Sequence, residues 1–235
     1  MSVAGVDGCR GGWIVAGWDG GSGVLEFAFR RTFREVLDGA ADVECIGIDI
    51  PIGLSDGPPR ACDLAARAVL GPRRSSVFPA PIRPVLDAAD HRSASEIARS
   101  VTGKGISIQA FNITGKVAEV DGVMQENPSL QVRVIEVHPE VSFCLLNGGV
   151  PMTHSKKRTA GFAERQALLA SVFPNDQVPL TRRDARAVAS YAGPDDLLDA
   201  VVACWSARRA LDGQAVRLPE NPPVDRFGLL MRIVA

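Results

Sequence analysis

The sequence predicts an α/β protein: a mixed sheet of strand order 3-2-1-4-5, flanked by helices, with a mostly helical insertion. Three observations lead there. Residues 2–29 read as a three-strand meander. A short helix and then a fourth strand, apolar on both faces near its end, follow, and such a strand is usually central and parallel. From about 55 to 130 the pattern turns to helical spacing and proline punctuation, which places an insertion between strands four and five.

Taken in order, SVAGVD (2–7) is the first strand, and Gly8, Gly11 and Gly12 supply a tight turn into a second strand at 13–18. GVLEFAF (23–29) alternates and pairs back across Asp19-Gly20-Gly21. Thr32 and Glu35 make a capping-box pattern that opens a helix to about Leu37, stopped by Gly39. VECIGIDI (43–50) is the fourth strand. A right-handed crossover from strand three sets it parallel beside strand one, so ligands are expected at their carboxyl ends. Within the insertion a helix is predicted over 60–70 with Gly71 as its cap, another capped by Ser93 and Glu96, and a third with apolar residues at 106, 113, 117, 120 and 124. QVRVIEV (131–137) is the fifth strand, and Pro139 suits the first turn of the next helix. Helices are predicted near 158–173, 181–190 and 194–211. The last carries a core-facing stripe of Leu198, Val201, Val202 and Trp205. Residues 224–234 suit a final short strand. The whole is expected to be a single domain, 1–235.

The composition is that of a globular protein, 46% hydrophobic and 23% charged, so a packed core is expected rather than disorder. A formal net charge of −1 disfavours a surface coated in basic residues, although a local basic groove is compatible with it. The five cysteines are unclustered and odd in number, which argues for reduced thiols and a cytoplasmic setting. No apolar run has the length of a membrane span, and no signal region opens the chain.

The chemistry is carried by carboxylates. Asp7 and Asp49 each end an apolar run, and the predicted strand order makes them neighbours. Asp7 before a glycine turn also suits a plain turn former. Asp49 lies in IGIDIPI, where an uncompensated charge is costly, so a partner is required: an arginine, several N–H donors or a metal. Two carboxylates sharing one site need a cation or a proton, and Mg²⁺ or Mn²⁺ suits hard oxygen donors. DDLLDA adds Asp196 and Asp199, three apart at a helix start. Asp195 is expected to serve the helix N-terminus there, leaving Asp199 as the better ligand candidate. In IEVHPEVSF, Glu136 and His138 approach the end of strand five, His138 as helix cap or proton carrier, and Glu140 suits the first helical turn. Basic residues fall in loops: Arg10 beside Asp7; Arg60, Arg67, Arg73 and Arg74 around the insertion; and Lys156, Lys157 and Arg158 before a helix, as phosphate ligands or as a solvated charge run. No P-loop, G-x-S-x-G, H-E-x-x-H or G-x-G-x-x-G motif is present. Cys9 beside Arg10 has no evident histidine partner, so a catalytic thiol is disfavoured.

The motifs GVDGCRGGW, IGIDIPIGL, R-x-C-D-x-x-A-R, LGPRRSSVFPAP, EVHPEVSF, LNGG, SKK and DDLLDA together resemble an uncharacterised family, domain of unknown function 429, described as predicted RNase H-like nucleases. The resemblance covers nearly the whole chain. It implies an RNase H-like fold, with Asp7 and Asp49 as the strand-end metal carboxylates and Asp196 and Asp199 as the paired acids of the last helix.

These readings combine into an expected metal-dependent nuclease or phosphodiester hydrolase, with Asp7, Asp49, Asp196 and Asp199 holding two Mg²⁺ or Mn²⁺ ions roughly 4 Å apart. Glu136 and His138 complete the catalytic set. Arg10, Arg73, Arg74, Lys156 and Lys157 are the expected substrate contacts. The near-neutral charge points to a nucleic acid or nucleotide of small footprint, with no membrane partner and room for a homo-oligomer. Two alternatives are an ATP-binding phosphotransferase or regulator on the same fold, and a non-catalytic binding module.

Overall fold

The computed structural model describes residues 2–21, 23–173, 178 and 191–235, and the helix expected at 181–190 lies outside them. The chain divides into two compact units. One comprises 1–49, 132–216 and 234–235; the other comprises 50–131 and 217–233. The expected insertion at 55–130 falls in the second.

The first unit is a mixed α/β layer structure. Strands β1 (Ser2–Cys9), β2 (Gly12–Asp19), β3 (Val24–Arg30), β4 (Cys45–Ile48) and β5 (Val134–Glu136) run in the order β3-β2-β1-β4-β5. The first three form the antiparallel meander, whereas β1–β4 and β4–β5 are parallel. Helices flank the sheet, and the arrangement is consistent with an RNase H-like fold. Several element boundaries differ from the sequence reading. Gly8 and Gly12 are strand residues, and only Gly11, at φ 80°, uses the left-handed region in that turn. At Gly12 an added Cβ would lie 2.2 Å from the Arg30 carbonyl oxygen, so the glycine there serves close strand packing. Helix α1 (Phe33–Gly39) starts at Thr32 as expected, with the Thr32 hydroxyl accepting from the Glu35 N–H, but it includes Gly39. Strand β4 is only four residues long. Strand β5 is shortened because 128–132 coil into a 3₁₀ turn.

Side-chain alternation assigns the two faces. Trp13 and Phe33 of α1 meet at 5.9 Å on one face. On the other lies the last helix, α8 (Pro194–Leu211), together with α6 (Pro139–Leu146) and α7 (Thr159–Ala170). Ile14, Ala16, Phe143, Phe162, Leu169, Leu198, Val201 and Val202 bury one another there. α8 seats directly on the backbone of β1 and β4. A Cβ at Gly5 would fall 1.9 Å from the Ala200 carbonyl oxygen, and one at Gly47 would fall 2.6 Å from that of Ala203. Any larger residue would push the helix off the sheet.

The second unit contains α2 (Ala61–Leu70), α3 (His91–Thr102), α4 (Ile108–Asn112) and α5 (Thr114–Glu126). The periodicity at 106–124 thus resolves into two helices that break at Ile113. The cap of α3 is Asp90 rather than Ser93; Ser93 is its reciprocal partner three residues on. Buried Arg83 bridges Asp121 and Asp225, each at 2.5 Å. Asp225 also accepts from the N–H groups of Leu54, Phe227 and Leu229, which ties 217–233 to 50–131. All five cysteines are buried, and none is in a disulfide. Among the described residues, no helix is long and apolar enough to cross a membrane.

Candidate metal centre

Parallel pairing sets Val6 opposite Ile48, so the next residues, Asp7 near the end of β1 and Asp49 just past β4, lie side by side. The Asp49 N–H donates to the Val6 carbonyl at 2.9 Å, which fixes that register. Both aspartates share the side-chain parity of Gly5 and Gly47, so both project toward α8. The close seating of α8 at those glycines brings Asp199 to the same place. One carboxylate oxygen from each of Asp7, Asp49 and Asp199 lies within 4.8 Å of the others. Asp199 is fully buried, Asp7 nearly so, and Asp49 is half-buried.

Such crowding must show in protonation. Burial pushes the Asp7 carboxyl well above the usual carboxylate range, and Asp49 and Asp199 add to it. Asp49 is pushed up to about 8, first by burial and then by Asp199. Asp199 is raised by burial despite the opposing effect of Lys156. One Asp7 oxygen accepts from the Gly8 N–H at 2.7 Å. Asp199 Oδ2 pairs with the Lys156 ammonium, whereas Asp199 Oδ1 is buried with no hydrogen-bond partner among the described residues. Three crowded carboxylates, one of them with an orphaned buried oxygen, are a donor set suited to a hard cation.

Lys156 is the member that sequence alone placed elsewhere, as a phosphate ligand. Burial by itself would lower its pKa, but Asp199, Asp7 and Asp49 together raise it, so it is a permanent cation of the cluster. The loop that carries it is anchored. Glu164 accepts from the Thr153 N–H at 2.7 Å and the His154 N–H at 3.0 Å. Arg165 donates to the carbonyls of His154 and Gly161, and forks onto Glu140 at 2.6 and 2.8 Å. Gly161 allows the loop to touch α7, since a Cβ there would sit 2.0 Å from the Ser155 carbonyl oxygen. Glu140 therefore does more than favour a helix start: it fixes Arg165. The clue in sequence was slight, because Glu140, Lys156 and Arg165 come from separate segments.

The remaining candidates fall outside the three-carboxylate set. Asp196, rather than Asp195, serves the N-terminus of α8, accepting from the Gly193 N–H at 2.7 Å. Its carboxyl is raised to about 6, chiefly by burial. Glu136 pairs with Ile48, so it is buried on the sheet face opposite Asp7 and Asp49. His138 takes the N-cap position of α6 without a side-chain cap bond, and its carbonyl accepts from Val141 and Ser142. Arg10 is exposed in the β1–β2 turn, and Lys157 is exposed beside Lys156. Arg73 and Arg74 lie on a 3₁₀ turn of the second unit, Gly71–Ser76.

With this geometry in view, the sequence profile described as "Protein of unknown function (DUF429)" matches residues 5–224. The chain belongs to the DUF429 family. The DUF429 match spans all three carboxylates and Lys156, so the candidate centre is part of the family's domain. Searches of the curated proteins and of the solved structures found no match to the chain.

Proposed function

We propose that the chain is a divalent-cation-dependent phosphodiester hydrolase acting on a nucleic acid or nucleotide of small footprint. The observation that carries this reading is the convergence of Asp7, Asp49 and Asp199 at the carboxyl ends of two adjacent parallel strands, with Asp199 Oδ1 left unsatisfied. Topologically this is where open α/β sheets hold ligands. Mg²⁺ or Mn²⁺ fits an all-oxygen donor set of this charge. Bound there, such an ion supplies Lewis-acid polarisation of a phosphoryl oxygen and a more acidic water.

The residues divide the work by exposure. Asp7 and Asp199 are the buried anchors, and Asp49, half-buried, is the member of the set that reaches solvent. Arg10, exposed two residues past the first strand's glycine, is placed to meet a phosphate at the same end of the sheet. The net charge of −1 supports few phosphate contacts and hence a short single strand, a junction or a nucleotide.

The test is a cleavage assay with purified protein and Mn²⁺ on short single strands, branched duplexes and nucleotides. Asp7→Asn is expected to lower turnover by about 100-fold or more, since even outer partners of a metal ligand are worth 10–100-fold. Cleavage that survives Asp7→Asn unchanged would overturn the reading.

A further inference from the structure

We infer that Lys156 is a built-in second cation of the carboxylate cluster, limiting the centre to one divalent ion where the bare carboxylates would accept two. The inference rests on the metal-site reading above and adds to it the capacity of that site. Its basis is position. The Lys156 ammonium lies on Asp199 Oδ2, while Oδ1 of the same carboxylate is free for a second positive partner. Asp199 therefore gives one oxygen to the protein's own cation and keeps the other unpaired.

Charge balance gives the same count. Asp7, Asp49 and Asp199 carry three negative charges when ionised; Lys156 cancels one, and a single divalent ion cancels the other two. The neighbouring acids already have partners of their own: Glu140 pairs with Arg165, and Asp196 accepts from the N-terminus of α8, although both still add negative potential at the cluster. A second divalent ion beside Lys156 would leave the buried cluster with two excess positive charges, against one when the ammonium is absent, and each added charge is costly away from water.

The loop shows that the lysine is held there rather than visiting. Surface lysines keep their rotamer freedom and gain little from one ion pair. Here the backbone of 153–155 is fixed by Glu164, by Arg165 and by the close approach at Gly161. Arg165 is itself locked by a buried two-oxygen fork to Glu140. Three side chains and a glycine thus hold the loop that carries this ammonium.

The test counts bound Mn²⁺ by electron paramagnetic resonance, from loss of the free-ion signal on titrating protein. Wild-type protein is expected to bind one ion per chain, and Lys156→Ala two, the pair showing spin coupling. Two ions in the wild type, or one in both proteins, would overturn the inference while leaving the metal site standing. No ion bound by either protein would overturn both. Should Lys156→Ala fail to fold, the wild-type count decides alone, and Lys156→Arg, which keeps the cation, is expected to bind one.

Discussion

Asp49 keeps its proton to about pH 8, because burial removes the water that would solvate its charge and Asp199, Glu136 and Glu140 add negative potential against the pull of Lys156. In an unfolded chain the same group titrates near 3.8. Between those values the folded, metal-free protein binds a proton that the unfolded chain has released, so stability falls as pH rises through that window. The slope approaches about 1.4 kcal/mol per pH unit for each proton retained. Chemical denaturation with chelator present should therefore show stability falling from pH 5 to pH 8. Asp49→Asn should flatten that fall. A metal-free protein whose stability rises over the same interval would contradict the crowding of these carboxylates.

At the scale of elements, the site depends on how closely α8 lies on β1 and β4. Gly5 and Gly47 permit that approach, and through it Asp199 reaches the strand-end aspartates. Gly5→Ala is expected to destabilise the protein by about 1–3 kcal/mol, as overpacking does, and to weaken Mn²⁺ binding by displacing α8. Gly17→Ala, on the same sheet with only the Glu26 carbonyl oxygen 4.0 Å from an added Cβ, should cost little and leave binding intact. Equal effects of the two substitutions on Mn²⁺ affinity would count against this picture. Much of the arrangement was legible in the sequence. The meander, the buried fourth strand and the bounds of α8 follow from periodicity and glycine placement, and the pairing of Asp7 with Asp49 follows from strand order. The helix-start acid is Asp196 where the sequence reading chose Asp195, because the two are equally good N-terminal acids on paper; it is the Asp196 carboxylate that accepts from the Gly193 N–H. The face that Glu136 takes was not legible, because it depends on a register with Ile48 that sequence does not specify. Lys156 was illegible for a different reason: its ion pair spans 43 residues and exists only because a tertiary scaffold holds its loop.

For the molecule as a whole, a cluster of like charges in the folded state is a liability that a bound cation converts into stability. Three carboxylates and one ammonium leave the folded protein with uncompensated charge, relieved only by protons or by metal. On the proposed reading, metal binding and folding are coupled, and the coupling is measurable without knowing the substrate. Near-neutral net charge keeps this a local effect rather than one of overall repulsion. The most direct measurement is the melting temperature of wild-type protein and of Asp199→Asn at neutral pH, each with and without Mn²⁺. At about 100 times its Kd a single ion stabilises by about 2.7 kcal/mol, which for a chain of this size raises Tm by about 5–10 °C. That gain should appear in the wild type and vanish in Asp199→Asn. No gain in the wild type, or the same gain in both, would contradict a divalent-cation centre built on Asp7, Asp49 and Asp199.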